Sequence, residues 1–402
     1  MKKLFIVLTI SIISVFSVSA QTEFTSILSQ IHADSLKKTV EDLVAFDNRL
    51  CCATVGHNRK VAQYIVERLR AYGVENAAID SFPVKMNHWL LKDIDQYMYN
   101  VRSRLSGSVN SDSIAIIGAH LDAIAYVYDS GYIIQNSTPG ANDNATGIAV
   151  MIEVARIFHA NNLIPKYSID FMAYDAEEIG LFGSIDDAKK RSAANEKVYV
   201  MLNNDMVGLQ EESAFVWNVI FHADADDVQD KATKICQKYT RLYPRIPDNL
   251  DSSYRNSDSW SYRIFGFRTF YTHSYEEDQH YHKISDMPQR LNYRYMAEIA
   301  KLHFSLLYDF AVEQVVEEVG IEDLQVAFTK LQVFPNPTKG QLRITMCDNQ
   351  TCDIRVFDIV GSEISVGQSQ IGLSEILLDV FHLASGMYFL KIDGKVVKFI
   401  KE

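Results

Sequence analysis

The chain has 402 residues, of which 48% are hydrophobic and 22% are charged, an ordinary globular balance with room for two domains. Its formal net charge is -12 at pH 7, and the acidic residues are spread along the chain. Because no long run of lysine or arginine offsets this charge, the composition argues against a nucleic-acid partner.

The first twenty residues, MKKLFIVLTISIISVFSVSA, have the pattern of a secretory signal peptide. Two lysines precede an apolar stretch, and Val18, Ser19 and Ala20 form a small-x-small cleavage site. The alternative, a transmembrane anchor, is disfavoured because the apolar stretch is short and interrupted by serines. We therefore expect an exported protein with no stable membrane span.

Export makes disulfides possible among the five cysteines. Cys347 and Cys352 are close in sequence, so a bridge that closes a hairpin is one possibility. The adjacent Cys51 and Cys52 are either a strained pair or buried thiols. No cysteine pair has the spacing of a structural zinc site.

Helices and strands alternate over most of the chain. Residues 25–73 show helical periodicity, which ends at Gly73. Strand-like apolar runs follow, separated by helical stretches, at 113–120, 167–175, 198–205 and 267–273. A last helix is predicted at 294–316. This order predicts an α/β domain with a twisted, mostly parallel mixed sheet flanked by helices.

The character of the sequence changes after about residue 320. The segment 334–344 carries Pro335, Pro337 and Gly340, and short β-rich stretches without helical period follow it. This pattern predicts a small all-β sandwich. The predicted organisation is a signal peptide at 1–20, an α/β domain at 21–320, a linker at 321–332 and a C-terminal β-sandwich at 333–402.

Residue types that bind metals follow the predicted strands of the α/β domain. They are His120 and Asp122 in GAHLDA, Asp143 in GANDNATG, Glu177 and Glu178 in AEEIG, Asp205 in NNDMVG, and His280 and His282 in DQHYHKISD. Each alone has an ordinary explanation as a turn residue, a helix cap or a solvated acidic pair. Ligands of open α/β sheets bind outside the carboxyl ends of the strands, so these side chains should meet. Buried charges are costly unless they are paired or bind a cation, and the set therefore indicates a metal centre.

A mixed set of histidines and carboxylates suits zinc. One of two adjacent glutamates can bind the metal while the other stays free as a general base beside the activated water. Asp122, two residues beyond His120, can orient the imidazole.

The ordered motifs GAHLD, GANDNATG, AEEIGLFGS, NNDMVG and YHKISD resemble the secreted di-zinc aminopeptidases of metallopeptidase family twenty-eight. The resemblance covers roughly residues 30–315 and implies the zinc-exopeptidase fold with two Zn²⁺ ions. The ligands that it implies are Asp143 as a bridge between both ions, His120 and Asp205 at one ion, and Glu178 and His282 at the other.

The resemblance also implies roles for residues beside the ions. Glu177 would be the general base, taking a proton from the water that the two ions share, and Asp122 would support His120. A cis peptide bond would follow Asp143. SDSW at 257–260 resembles the Ser-Asp segment that precedes the last histidine of the family.

The last motif departs from the family. Relatives usually read Tyr-His-Thr-Pro followed by Asp-Thr, whereas this chain reads YHKISDMPQ. His282 is preferred over His280 as the ligand because Tyr281 precedes it and Asp286 follows at the expected interval.

The C-terminal stretches FPNPTKGQLRI, VFDIVG, LASGMYFLKI and KVVKFIKE resemble the sorting domain of the type IX secretion system of Bacteroidetes, over about residues 330–402. The resemblance implies export through the periplasm by the signal peptide, then across the outer membrane by this domain, to the cell surface or the medium. The alternative is an accessory sandwich that binds carbohydrate or protein. The lysine-rich end and the lack of aromatic clusters favour the sorting domain.

Several functions remain open at this point. The first is an aminopeptidase, a monomer that removes N-terminal residues from peptides. The second is a glutaminyl cyclase of related fold with a single zinc, and the presence of both metal sites disfavours it. A carboxypeptidase or dipeptidase would use the same metal set. A catalytically silent surface-binding protein is disfavoured because Glu177 is intact.

Overall fold

The computed structural model describes residues 23–402, with gaps at 54–55, 130, 211–215, 222–224, 246–254, 275–276, 317–331, 335, 346–353, 359–361, 371–374 and 393–394. The predicted signal peptide, residues 321–331 of the predicted linker, and Cys347 and Cys352 lie outside the described residues. The chain divides into two compact units, residues 1–317 and 318–402.

The first unit is built on an eight-stranded mixed sheet in the order β1-β2-β6-β3-β7-β10-β8-β9. Its strands are β1 (Ala78–His88), β2 (Lys92–Leu105), β3 (Asn110–His120), β6 (Tyr167–Tyr174), β7 (Lys197–Asn204), β8 (Val216–Phe221), β9 (Tyr243–Arg245) and β10 (Thr269–Ser274), while β4 (Tyr126–Tyr128) and β5 (Tyr132–Ile134) form a separate two-stranded ribbon. The central strands β6, β3, β7 and β10 are mutually parallel. Antiparallel pairs join β2 to β1 and β6, and β8 to β10. The predicted mostly parallel mixed sheet is confirmed.

Helices pack on both faces of this sheet. They are α1 (Ala33–Val44), α2 (Asn58–Ala71), α3 (Thr146–Ala160), α4 (Phe182–Ala193), α5 (Asp226–Tyr239), α6 (Asp258–Ile264) and α7 (Tyr293–Ala311). Successive residues of a strand point to opposite faces, and the buried strand β3 uses both. Ala115 and Ile117 join the main core with α1, α2, α3, α5 and α7, whereas Ile116 packs with Ala188 of α4 and Tyr262 of α6. In the part of the chain that the structure describes, no helix is both long and apolar enough to cross a membrane.

Two details of the predicted secondary structure need correction. The last helix, predicted at 294–316, ends at Ala311. The carboxylate of Asp309 accepts the backbone N–H of Val315 at 2.8 Å and of Val316 at 3.3 Å, which folds these residues back in a turn. The long strands β1 and β2, of which β1 lies at the edge of the sheet, are also not predicted, because polar residues interrupt the apolar runs that mark a central strand.

The second unit is a sandwich of two antiparallel sheets. Strands β11 (Gln332–Phe334), β12 (Gln341–Thr345), β16 (Glu375–Asp379) and β15 (Gly367–Gln370) form one sheet, and β14 (Glu363–Ile364), β13 (Ile354–Phe357), β17 (Gly386–Ile392) and β18 (Lys395–Lys401) form the other. Leu342 and Leu378 of the first sheet share a buried core with Val356, Leu390 and Phe399 of the second. The predicted all-β sandwich is confirmed.

The adjacent cysteines of the first unit are not bridged. Cys51 and Cys52 are free thiols. Of the two possibilities for the adjacent pair, the structure therefore has thiols, with Cys51 buried and Cys52 half-buried.

Candidate metal centre

The carboxyl ends of three parallel strands bring the predicted site residues to one edge of the sheet. His120 is the last residue of β3, Glu177 and Glu178 follow β6, and Asp205 follows β7. The side chain of His120 is 1% exposed and that of Glu178 is 3% exposed. The structure thus assembles residues from separate motifs, as expected for the open edge of an α/β sheet.

The carboxylate of Asp143 lies between two imidazoles. Its Oδ1 is 3.2 Å from Nε2 of His120, and its Oδ2 is 3.3 Å from Nε2 of His282. Asp143 lies in a short segment, Ala141–Ala145, that leads into α3, and its own backbone is not helical, with φ -109° and ψ 90°. The peptide bond between Asp143 and Asn144 is cis, as the resemblance implies. Each oxygen of this carboxylate therefore faces a different histidine.

Backbone contacts hold the Asp143 segment from two sides. Gly140, before it, has a φ of 49°, and a Cβ there would come within 2.3 Å of the Asp143 carbonyl oxygen, so only glycine fits. The buried Arg49 donates a hydrogen bond of 2.8 Å to the Gly140 carbonyl oxygen. On the other side, the carboxylate of Asp286 accepts the backbone N–H of Asn142 and of Asp143, with both Asp286 Oδ2 distances at 3.0 Å.

Glu178 and His282 form a close pair on the side of Asp143 where Oδ2 lies. Oε2 of Glu178 is 2.8 Å from Nε2 of His282, and the hydroxyl oxygen of Tyr126 is 3.3 Å from the other ring nitrogen, Nδ1. The alternative ligand, His280, instead has Nδ1 2.6 Å from the hydroxyl oxygen of Ser285. The geometry therefore favours His282, as the sequence pattern does.

Asp205 faces His120 with one oxygen and a serine with the other. Its Oδ1 is 3.3 Å from Nε2 of His120, and its Oδ2 accepts a hydrogen bond of 2.6 Å from the Ser257 hydroxyl. That hydroxyl in turn accepts a hydrogen bond of 2.6 Å from the Asn203 side chain. Asn203 of β7 thus positions Ser257, and Ser257 fixes the orientation of the Asp205 carboxylate.

Asp122 contacts His120 at the end of β3 and the two glutamates that follow β6. Its carbonyl oxygen is 3.2 Å from Nδ1 of His120, whereas its carboxylate is 3.6 Å from that nitrogen, too far for a hydrogen bond. The carboxylate instead accepts the backbone N–H of Glu177 at 3.1 Å and of Glu178 at 3.3 Å. Asp122 therefore sets the directions in which the two glutamate side chains leave the backbone.

Several buried acidic side chains crowd this region. Burial raises the pKa of Glu178 to about 7 and the pKa of Glu177 well above its usual range. Burial likewise raises the pKa of Asp258 to about 7. Burial also acts to raise the pKa of Asp143, but the neighbouring imidazoles of His120 and His282 bring that pKa below its usual range. A cation held among these oxygen atoms would offset the cost of the buried negative charge.

The donor atoms fit zinc. Two groups bring their ligand atoms within 4.8 Å of one another, namely His120 with Glu177 and Asp205, and His120 with Asp143 and Glu178. Nε2 of His282 is buried beside Glu178, yet it makes no hydrogen bond of acceptable geometry within the described ranges. A buried imidazole nitrogen of this kind, directed at carboxylates, suits a metal ligand, and imidazole and carboxylate are zinc ligands.

Two residues that shape the centre escape sequence reasoning. Arg49 is buried and donates hydrogen bonds to the carbonyl oxygens of Leu121, Pro139 and Gly140, and burial lowers its pKa to about 10. Its own segment, DNRLCC, gives no sign of partners that lie 72 to 91 positions later. Tyr126 could have been found, because it belongs to a short run of alternating aromatic residues.

Comparisons with known proteins find two family matches and related sequences. Residues 100–307 match peptidase family M28, and residues 332–402 match the secretion system C-terminal sorting domain. A probable leucine aminopeptidase of Arthroderma benhamiae is 27% identical over 305 residues, 73% of this chain and 78% of that protein.

Solved structures show the same fold. The zinc aminopeptidase BSAP of Bacillus subtilis has a TM-score of 0.57 at 15% identity, covering 71% of this chain and 97% of that one. The glutaminyl cyclase of Bacteroides thetaiotaomicron has a TM-score of 0.56 at 16% identity, covering 70% of this chain and 98% of that one. At these identities the likeness concerns the fold and does not choose between the two activities.

Proposed function

The chain belongs to peptidase family M28, and on this premise we propose that it is a secreted zinc aminopeptidase that removes residues from the amino end of peptides. The observation that carries the proposal is the position of Asp143, whose two oxygens face His120 at 3.2 Å and His282 at 3.3 Å. A carboxylate shared in this way suits a site for two neighbouring cations. The aminopeptidase relatives support the same activity.

Two zinc ions would share the Asp143 carboxylate. The remaining ligands would be His120 and Asp205 for one ion, and Glu178 and His282 for the other. When bound, the ions would supply Lewis-acid polarisation of the scissile carbonyl and lower the pKa of a water molecule. Ser257 would keep Asp205 in orientation, because its hydroxyl holds the carboxylate oxygen that does not face His120.

We assign Glu177 the role of general base. Asp122 holds the backbone N–H of Glu177 and of Glu178, while the side chains of the two glutamates take different partners. Glu178 reaches His282, whereas a carboxylate oxygen of Glu177 lies within 4.8 Å of the ligand atoms of His120 and Asp205. From that position Glu177 would take a proton from the attacking water and deliver it to the leaving amine.

A glutaminyl cyclase with a single zinc is the second candidate, because its fold is shared with the Bacteroides thetaiotaomicron cyclase. Such an enzyme does not need both metal sites. The pairs His120–Asp205 and Glu178–His282, one on each side of Asp143, favour the aminopeptidase. A carboxypeptidase or dipeptidase would use the same ligands and differ in the part of the substrate that it recognises.

The sorting-domain match at residues 332–402 indicates export. We propose that residues 1–20 act as a signal peptide for the inner membrane. The C-terminal domain would then engage the type IX secretion machinery and bring the enzyme to the cell surface or the medium. There it would act on peptides as a monomer.

Metal analysis combined with turnover tests the proposal. The purified zinc-loaded protein should contain two zinc ions per chain and release leucine from leucine p-nitroanilide. One zinc per chain together with conversion of N-terminal glutamine to pyroglutamate would establish the cyclase instead. Release of residues from the carboxyl end of peptides, with the anilide left intact, would establish a carboxypeptidase.

A further inference from the structure

A row of aromatic side chains leads from the metal centre to the surface. The ring of Tyr126 is 5.4 Å from that of His282, Tyr132 is 5.1 Å from Tyr126, and Trp89 is 5.2 Å from Tyr132, measured between centroids. Tyr128 also lies beside Tyr132, at 5.4 Å. All four contacts are edge-to-face. We call Tyr126, Tyr128, Tyr132 and Trp89 the aromatic strip.

Two separate hairpins build the aromatic strip. In the β4–β5 ribbon, Tyr128 pairs with Tyr132 and Tyr126 pairs with Ile134. Residues that pair directly, and residues two apart on a strand, share one face of a ribbon, so the three tyrosines lie on the same face. Trp89 comes from the tight turn between β1 and β2. The contact between Trp89 and Tyr132 therefore joins two elements that are distant in sequence.

The outer part of the aromatic strip is open to solvent. Trp89 is 71% exposed, Tyr128 is 75% exposed and Tyr132 is 48% exposed. Exposed apolar surface that is contiguous usually marks a binding site. Tyrosine and tryptophan suit such a site because they offer a large contact area and lose little conformational entropy when a partner binds.

The inner end of the aromatic strip is part of the metal centre. The Tyr126 backbone N–H donates a hydrogen bond of 2.9 Å to the carbonyl oxygen of His282, and the Tyr126 hydroxyl lies beside Nδ1 of the same residue. A molecule that lies along the strip therefore has one end at the site proposed for peptide cleavage. This continuity favours the substrate as the occupant over a separate partner.

We propose that the aromatic strip is a subsite for the residues of a peptide that follow the scissile bond, and that it prefers apolar and aromatic side chains there. The inference rests on the proposed aminopeptidase function. Only one residue precedes the scissile bond in such a substrate, so a surface several rings long can contact only the part that follows. An extended peptide advances about 3.4 Å per residue, so the strip has the reach of roughly three to five residues.

Peptide selectivity tests this subsite. The rate constants kcat/KM are measured for leucine p-nitroanilide, Leu-Ala-Ala-Ala and Leu-Ala-Phe-Phe with the full zinc-loaded protein. We expect the wild type to prefer Leu-Ala-Phe-Phe over Leu-Ala-Ala-Ala about tenfold. Trp89→Ala and Tyr132→Ala should each reduce this ratio to near one, through a higher KM for the aromatic peptide.

Tyr243→Ala is the matched control. Tyr243 is 67% exposed and lies on β9, at the opposite edge of the sheet from the β1–β2 turn that carries Trp89. This variant should keep the wild-type ratio. Circular dichroism and zinc content establish whether each variant is folded. Because Trp89→Ala and Tyr132→Ala test the aromatic strip independently, the test remains decisive if one of these two variants does not fold.

The outcomes separate the subsite from the proposed function. A wild type without the aromatic preference, or strip variants that keep it, would overturn the subsite while leucine release leaves the aminopeptidase intact. A dimer of the wild type that Trp89→Ala dissociates in sedimentation would identify the strip as a contact between copies and also overturn the proposal. No leucine release by the wild type from any of these substrates would overturn the aminopeptidase, and the subsite with it.

Discussion

The hydroxyl group of Ser257 donates a hydrogen bond of 2.6 Å to Oδ2 of Asp205 and leaves the other oxygen of that carboxylate facing His120. Ser257 thereby acts on the metal centre without contributing a donor atom to either group of candidate ligands. Contacts of this kind orient a metal ligand, and their loss usually weakens metal binding.

Ser257→Ala should therefore weaken one of the two proposed zinc sites. The Asp205 carboxylate would lose the contact that orients it, and we expect zinc affinity to fall about 10- to 100-fold. Titration against a zinc chelator measures the change. Ser259→Ala is the control, since the buried Ser259 hydroxyl has no hydrogen-bond partner in the ranges covered by the structure. Equal zinc affinity in the two variants would contradict the role of Ser257.

Asp205→Ala and Asp143→Ala should differ in metal content. Of the two histidines, Asp205 faces only His120, so its loss should leave one zinc ion per chain. Asp143 faces both histidines, so its loss should empty both sites at zinc concentrations that saturate the wild type. Elemental analysis after gel filtration measures the occupancy. An Asp143→Ala protein that still holds two zinc ions would show that this carboxylate is not shared.

Glu177→Gln should separate catalysis from metal binding. Glutamine keeps the size of the side chain but cannot take up a proton, so we expect both zinc ions to remain and kcat to fall by about 10²- to 10⁴-fold. The control is Glu67→Gln, which changes an exposed residue of α2 and should leave both the zinc content and kcat unchanged. Loss of a zinc ion from Glu177→Gln would instead make Glu177 a ligand, a role that its distance from His120 and Asp205 allows.

His303 on α7 should make the first unit sensitive to acid. It is buried, its Nε2 lies 3.1 Å from the Thr272 hydroxyl, and burial lowers its pKa to about 3. The unfolded chain, with a histidine pKa of about 6.5, binds more protons between those two values. The stability that neutral His303 contributes is therefore present above pH 6.5 or so and is lost as the pH falls towards 3.

Urea unfolding of His303→Gln at two pH values tests this expectation. Glutamine can still hydrogen-bond to Thr272 but does not titrate. Between pH 7 and pH 4.5 the wild type should lose about 2–3 kcal/mol more of its free energy of unfolding than the variant. Protonation of the metal centre is common to both proteins and cancels in the comparison. Equal losses would mean that His303 takes up a proton as readily in the folded state as in the unfolded chain.

The sequence predicts that the candidate ligands lie together, because these residues stand directly after apolar runs. His120, Glu178 and Asp205 follow buried central strands, whose hydrophobic residues are easy to read, and parallel strands bring their carboxyl ends to one edge. The C-terminal sandwich can be predicted from the sequence for a similar reason, because short β-rich stretches alternate with turn residues there.

Arg49 and the aromatic strip show where such reasoning stops. Arg49 donates hydrogen bonds to backbone carbonyl oxygens of a segment that is distant in sequence. No local sequence pattern indicates which backbone segment a buried arginine will contact. Trp89 meets Tyr132 only because two hairpins pack together, and the alternation of Phe82, Val84 and Met86 in β1 does not indicate what the following turn will contact. Both depend on tertiary packing, which one-dimensional periodicity does not encode.

Each unit of the chain has a hydrophobic core drawn from its own residues, and in the second unit Leu342, Val356 and Phe399 are fully buried within it. A sorting unit that folds around its own core is portable, because an unrelated cargo can carry it and still fold. Recombination can then exchange the sorting domain and the catalytic domain as separate modules. In evolutionary terms, a lineage with such a sorting domain can export a new enzyme without changes to the sequence of the enzyme or of the sorting domain.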